Sequence, residues 1–230
     1  MDLPDDLVEG RFKARLNRFL ATVEVDGNEV GVHVANSGRM HELLVPGCRV
    51  LIKHCPGPSR KTSYDLALVD LGPTLASADA RLPNALVAEA LAQGRMPQFA
   101  KYPLVRREVT FGESRLDLML EGPEGRCYVE TKSVTLVVDG VGLFPDSPTT
   151  RGVKHMNSLV EAKEAGHRAA VVFVVQRADC ESFTPHDVAD PEFGKALRRG
   201  IAAGVEAYAY NCRVTEKEVT LWRSLPVRLE

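Results

Sequence analysis

The chain has 230 residues, 44% hydrophobic and 26% charged, with a formal net charge of −2. This balance suits a folded globular protein of one large core or two smaller ones; it excludes a disordered chain and leaves no bulk basic excess, so a polyanion-binding surface must be a local patch. No apolar run reaches the roughly 20 residues of a membrane helix, the acidic start lacks a secretory signal's basic segment, and five scattered cysteines without a CxxC pair exclude a zinc ribbon or disulfide framework.

Residues 10–70 read as short alternating strands: Arg11 to Leu20, Thr22 to Val25, Glu29 to Ala35 and Cys48 to His54. The Asp26-Gly27-Asn28 turn, flanked by alternating apolar residues, predicts a hairpin, and several short strands with Gly/Pro turns predict a small β-barrel. Gly72-Pro73 and the small residues up to Asp79 read as a linker. A helix is expected from Pro83, with Asn84 as its N-cap and Gly94 as its stop. Strands follow at Leu104–Phe111, Arg115–Glu121 and Arg126–Val138. Thr149-Thr150 opens a helix running to about Ala165, and the continuous apolar run Ala169–Gln176 predicts a strand buried on both faces. A helix over Pro191 to Ala203 and strands at Val205–Tyr210 and Glu218–Trp222 complete an α/β half with a mixed sheet.

The chemistry concentrates in one hairpin. Glu130 and Lys132 are two apart on a predicted strand and so share a face, and Asp117 lies on the strand before it. Two carboxylates on a largely apolar sheet repel unless a cation lies between them, and a hard divalent ion with oxygen ligands serves that purpose. Lys132 beside such an ion could orient or deprotonate a water, or offset charge on a phosphate in reaction. Asp, Glu and Lys together form a set suited to phosphodiester hydrolysis; a buried structural ion pair is the alternative. The similar triplet Glu161-Ala162-Lys163 is set aside, because residues two apart on a helix do not share a face. Glu89, on the preceding helix, is a candidate third metal carboxylate, against the plainer reading of a solvated helix charge.

Candidate basic surfaces are local. Arg11, Lys13 and Arg15 alternate with Phe12, Ala14 and Leu16, which would put three cations on one strand face and the apolar residues inward. Arg60-Lys61 near Tyr64 offers a second cluster. Arg151, Lys154, His155 and Ser158 follow helical spacing as a polar stripe, opposite Val153, Met156 and Val160. Each is either a nucleic-acid contact or a solvated face.

The stretches Ser114-Arg115-Leu116-Asp117, Tyr128 to Leu136, Phe144-Pro145-Asp146, Arg151 to His155 and Ser224 to Val227, with Asn36 to Met40 in the first half, resemble the sugar fermentation stimulation protein (SfsA) family. The resemblance implies an OB-fold-like, nucleic-acid-binding barrel over residues 1–80 and a PD-(D/E)XK nuclease-like α/β domain over 81–230. It also implies DNA binding, and a role in regulating sugar, especially maltose, metabolism. The family's nuclease-type positions fall on Asp117, Glu130 and Lys132, with Glu89 as the matching helix carboxylate. The expectation is a Mg²⁺- or Mn²⁺-dependent nuclease of the cytoplasm whose partner is nucleic acid, DNA favoured over RNA, and which makes no membrane contact. Asp117, Glu130 and Glu89 would hold metal, and Arg11, Lys13, Arg15, Arg39, Arg60, Lys61, Arg115, Arg151, Lys154 and His155 would bind nucleic acid. A non-catalytic DNA-binding regulator on the same scaffold is the rival, and the oligomeric state, a homodimer included, stays open.

Overall fold

The computed structural model describes all residues, Met1–Glu230. The first half contains β1 (Val8–Asn17), β2 (Leu20–Val25), β3 (Asn28–His33), β4 (Arg49–His54), β5 (Tyr64–Asp70) and β6 (Leu75–Ser77). Their order is β3-β2-β1-β4-β5-β6, and a parallel pairing of β3 with β5 closes the first five strands into a barrel. Asp26 and Gly27, with φ of 50° and 76°, form the two-residue turn between β2 and β3, which needs positive φ at both positions. Phe12, Val23, Val32, Ile52 and Leu66 fill the interior.

Two expectations in this half need correction. The strict alternation expected for β1 fails after Phe12, because register shifts against β2 turn Ala14 and Leu16 outward, Leu16 to 59% exposure. The segment expected to be a linker contains β6, whose Ala76 and Ser77, with the following Ala78, are fully buried.

The second half begins with α1 (Leu82–Ala92) and a 3-10 turn at Pro97–Phe99, then β7 (Leu104–Phe111), β8 (Ser114–Gly122), β9 (Gly125–Val134), β10 (Val137–Val138) and β11 (Val141–Phe144). After these come α2 (Thr150–Glu164), β12 (Arg168–Val175), β13 (Ser182–Pro185), α3 (Pro191–Ala202), β14 (Glu206–Val214) and β15 (Val219–Leu225). The main sheet runs β15-β14-β12-β9-β8-β7 and is mixed: β12 lies parallel to β9 and β14, and the other pairs are antiparallel. Helix α1 packs on one face through Leu86, Val87 and Ala90; α2 and α3 cover the other through Met156, Leu159, Phe193 and Leu197. Seven of the eight residues of β12 are buried, as its apolar run requires.

Helices α2 and α3 are capped by Thr149, which accepts from the Gly152 N–H, and by Asp190, which accepts from the Phe193 N–H. Asn84 does not cap α1. It lies within the helix, where Arg81 occupies the cap position without a side-chain bond, and its amide turns toward the sheet. The short strands β10, β11 and β13 form a separate three-stranded sheet beside the main one. No helix is long and apolar enough to cross a membrane.

Candidate functional site

Strand β8 carries an irregularity at Asp117. Leu116 and Met119 pack with the cluster under α2 and α3, whereas Leu118 and Leu120 pack with the cluster under α1, so alternation breaks between 116 and 118. The β8–β9 ladder ends at Leu118–Val129, and the β7–β8 ladder skips the level of Glu108, whose φ is +58°. The strands part there, and the Asp117 carboxylate occupies the gap. Its Oδ2 accepts from the Thr131 N–H at 2.8 Å and the Thr131 hydroxyl at 2.6 Å, and the Asn84 amide stands 3.4 Å from Oδ1. Strict alternation, which would have Asp117 and Glu130 meet on one flat face, therefore does not describe how they converge. The two acids line the same cleft from either side of the splayed strands.

Glu130 and Lys132 do share a face, the one covered by α2. The Lys132 ammonium donates to Glu130 Oε1 at 2.6 Å, and His155 Nδ1 donates to the same oxygen. Glu130 is 3% exposed, and its Oε2 is buried without any partner. Burial pushes the Glu130 carboxyl upward, but the Lys132 charge and the His155 contact outweigh it and hold the group below the ordinary carboxylate range. A buried carboxylate with one unpartnered oxygen thus belongs to a residue in the wall of a cleft of about 480 Å³.

That cleft lies between the barrel and the α/β half. Arg18, Ser37 and Gly38 line it from the barrel; Arg81, Asn84, Arg107, Glu108, Asp146 and Arg151 line it from the other side. Its barrel wall is held in place by Arg15, whose guanidinium donates to the carbonyls of Arg18, Asn36, Gly38 and Arg39 at 2.5–2.8 Å. The loop then docks on Asp146, which accepts from the Met40 N–H at 3.1 Å, and Gly38 sits so close that a Cβ would come within 2.5 Å of the Asp146 carboxylate.

The remaining expected residues divide sharply. Glu89 is not brought to the cleft: it pairs with the Met1 amino group at 3.0 Å and stands 3.6 Å from Arg95. Arg15 is committed to loop carbonyls, so it is not a free phosphate ligand. Lys13 pairs with Glu24 at 2.6 Å, Arg60 with the buried Asp65, Arg115 with Glu108, and Lys154 donates to the Glu113 carbonyl at 3.1 Å. The expected polar stripe of α2 is split: Arg151 and Lys154 are exposed, whereas His155 and Ser158 are 4% exposed and turn to the sheet, with the Ser158 hydroxyl on Ser114. Arg151 lines the cleft and donates to His155 Nε2 at 3.3 Å. Arg11, Arg39 and Lys61 are exposed. Sequence reasoning did not single out Arg81, Arg107, Thr131 or Asp146 for the site. Thr131 had a signal in its place between Glu130 and Lys132, and Asp146 in its motif; the two arginines had none.

No group of three or more His, Cys, Asp or Glu side chains is gathered closely enough to cage a metal ion by itself. The donors nonetheless fit Mg²⁺, which commonly takes only one or two carboxylates and completes its shell with waters and substrate phosphate. The orphaned Glu130 Oε2 is the observation that supports the fit.

Family models match both halves: "SfsA N-terminal OB domain" over residues 14–78 and "Sugar fermentation stimulation protein RE domain" over residues 81–218. A sugar fermentation stimulation protein homolog of Caldanaerobacter subterraneus subsp. tengcongensis is 45% identical over 229 residues, with both chains fully covered. One from Thermoanaerobacter sp. strain X514 is 46% identical over 222 residues, 96% of each chain. Among solved structures, Pyrococcus furiosus SfsA in complex with Ca²⁺ superposes with a TM-score of 0.91 at 28% identity, covering 99% of this chain and 98% of that one. The chain belongs to the sugar fermentation stimulation protein (SfsA) family, with an OB-type barrel joined to a mixed α/β sheet.

Proposed function

We propose that the chain is a divalent-metal-dependent phosphodiesterase acting on nucleic acid, DNA before RNA, with residues 1–80 gripping the polymer and residues 81–230 cutting it. The observation that carries this is the unpartnered, buried oxygen of ionised Glu130, a residue in the wall of a cleft that also holds Asp117 and Lys132 and four arginines. Asp117 and Glu130 would hold Mg²⁺ or Mn²⁺, which when bound neutralises phosphate charge and acidifies water. Thr131 fixes Asp117 through two hydrogen bonds, so that carboxylate needs no reorganisation. The Lys132 ammonium orients the attacking water and offsets charge building at phosphorus. Arg107 and Arg151 gather the phosphate, and His155 holds the Glu130 carboxylate in place from α2. The Ca²⁺ complex of the Pyrococcus relative supports a divalent site in the family. The link to sugar metabolism belongs to this proposal only through the family, as does a cytoplasmic location.

A rival reading is a DNA-binding regulator without turnover. It is favoured by the internal pairing of Glu130 with the Lys132 ammonium and its hydrogen bond from His155. Labelled single- and double-stranded DNA and RNA, incubated with Mg²⁺, Mn²⁺ or EDTA, separate the two. Metal-dependent cleavage absent from Glu130→Ala and Lys132→Ala is the result expected of the enzyme. Salt-sensitive binding without cleavage in any metal would establish the regulator.

A further inference from the structure

A second groove, of about 700 Å³, runs along the barrel and is lined by Lys13, Arg18, Arg39 and His41. It shares Arg18, Ser37 and Gly38 with the cleft that holds the acids, so the two adjoin, and the cationic groove of the barrel leads into the cleft of mixed charge that holds Glu130. Arg18 stands at the junction, in the two-residue turn between β1 and β2. The other residue of that turn is Phe19, which is 47% exposed although the barrel core is filled without it. Its ring lies over His33 with centroids 6.2 Å apart and an interplanar angle of 28°, and His33 Nδ1 donates to the Phe19 carbonyl at 3.1 Å, which fixes the imidazole beneath it.

We infer that Phe19, backed by His33, is a stacking platform for an unpaired base, and that the strand delivered to the acid pair is single-stranded nucleic acid. An exposed ring next in sequence to Arg18, which itself lines the cationic groove, offers both requirements of single-strand binding: charge along the backbone and a surface for the bases. A duplex presents no free base face to Phe19 except at its ends. Glu130 at 3% exposure and Lys132 at 8% are recessed in the cleft wall, where a flexible strand can dip to them more readily than a stiff double helix. The strand's direction toward Glu130 rests on the phosphodiesterase reading; the platform itself is read by binding alone.

The test uses the full chain in EDTA, where cleavage is absent, with fluorescein-labelled oligothymidylate, oligouridylate and a blunt duplex, followed by anisotropy. Phe19→Leu keeps apolar area but removes the π-face, and Phe19→Trp retains it. The expected result is single-strand affinity lowered about tenfold in Phe19→Leu and restored in Phe19→Trp, with duplex affinity unchanged, in keeping with the usual effect of losing one stacked base. Single-strand affinity within about twofold of the parent, or an equal loss for duplex, overturns the platform. If Phe19→Leu fails to fold by circular dichroism, His33→Ala carries the same comparison. Cleavage confined to duplex refutes delivery of a single strand to the acid pair and leaves the enzyme; Phe19-dependent strand binding without cleavage in any metal refutes the enzyme and leaves the platform.

Discussion

Asp65 and Glu130 are each 3% exposed, and each is held below the ordinary carboxylate range by cations that outweigh the upward push of burial. Their surroundings differ in one respect. Both oxygens of Asp65 receive a guanidinium, Arg60 on Oδ1 and Arg81 on Oδ2, while Glu130 takes Lys132 and His155 on a single oxygen and leaves the other bare. A buried acceptor without a donor costs about 1–3 kcal/mol. Asp65 ties the barrel to the start of α1 and is complete as it stands; Glu130, in the wall of the cleft, is incomplete, with one oxygen lacking any donor. Burial and charge alone do not separate a structural carboxylate from a reactive one. Counting its donors does.

The sharpest test of this contrast is cleavage. Glu130→Gln keeps the shape and removes the charge, and cleavage should fall by about 10²–10³-fold in single-turnover assays, whereas Asp65→Asn should leave it unchanged. Stability should show the reverse order. Asp65→Asn deprives Arg60 and Arg81 of a shared acceptor and should cost about 1–3 kcal/mol in urea titrations. The pH profile gives a second readout. A carboxyl whose folded pKa is depressed contributes stability above its unfolded value, near 3.9, and loses it as pH falls through the folded value. The parent should therefore lose stability below about pH 4 more steeply than Asp65→Asn, whose acid limb should be flatter.

Asp117 lies between these extremes, with one oxygen fully engaged and the other only weakly contacted. Thr131→Val removes the hydroxyl donor but keeps the N–H, and should weaken metal dependence of cleavage by about tenfold, with a stability loss near 1 kcal/mol. An unaltered metal titration would place Asp117 with Asp65 as a structural acid. The smallest effect is expected at Lys13, whose pair with Glu24 is solvated on both sides. Lys13→Ala should leave the thermal midpoint unchanged and lower only the salt dependence of nucleic-acid binding.

Local signals in the sequence were enough for the elements that are set locally. The Asp26-Gly27 turn, the Thr149 start of α2 and the apolar run of β12 each state their conformation in a few adjacent residues. β6, β11 and β13 were not legible, because each is only three or four residues long and β11 pairs with β13 some 40 positions away. At the site, Glu130 and Lys132 could be placed together because a strand's period is two. Asp117 could not be placed correctly by that rule, since the break in alternation depends on Glu108 across the ladder. Glu89 failed because its helix phase sets it beside Met1 and Arg95. Arg15 looked like a surface cation, because its acceptors are carbonyls of a loop the sequence does not show curling around it.

The short strand β6 bridges the two halves. Ala76 pairs with Arg177 just past the end of β12, the Ser77 N–H donates to the Gln176 carbonyl at 2.9 Å, and the Gln176 amide reaches back to the Asp79 carbonyl at 3.1 Å and to the Ser133 hydroxyl at 2.8 Å. These bonds stitch the barrel to the strand ends beside Lys132, so the walls on either side of the acid pair are tied to each other by hydrogen bonds. Under the proposed function such a protein would work like a fixed die: the polymer would bend to fit the tool, and selectivity would be set by how readily a given strand deforms.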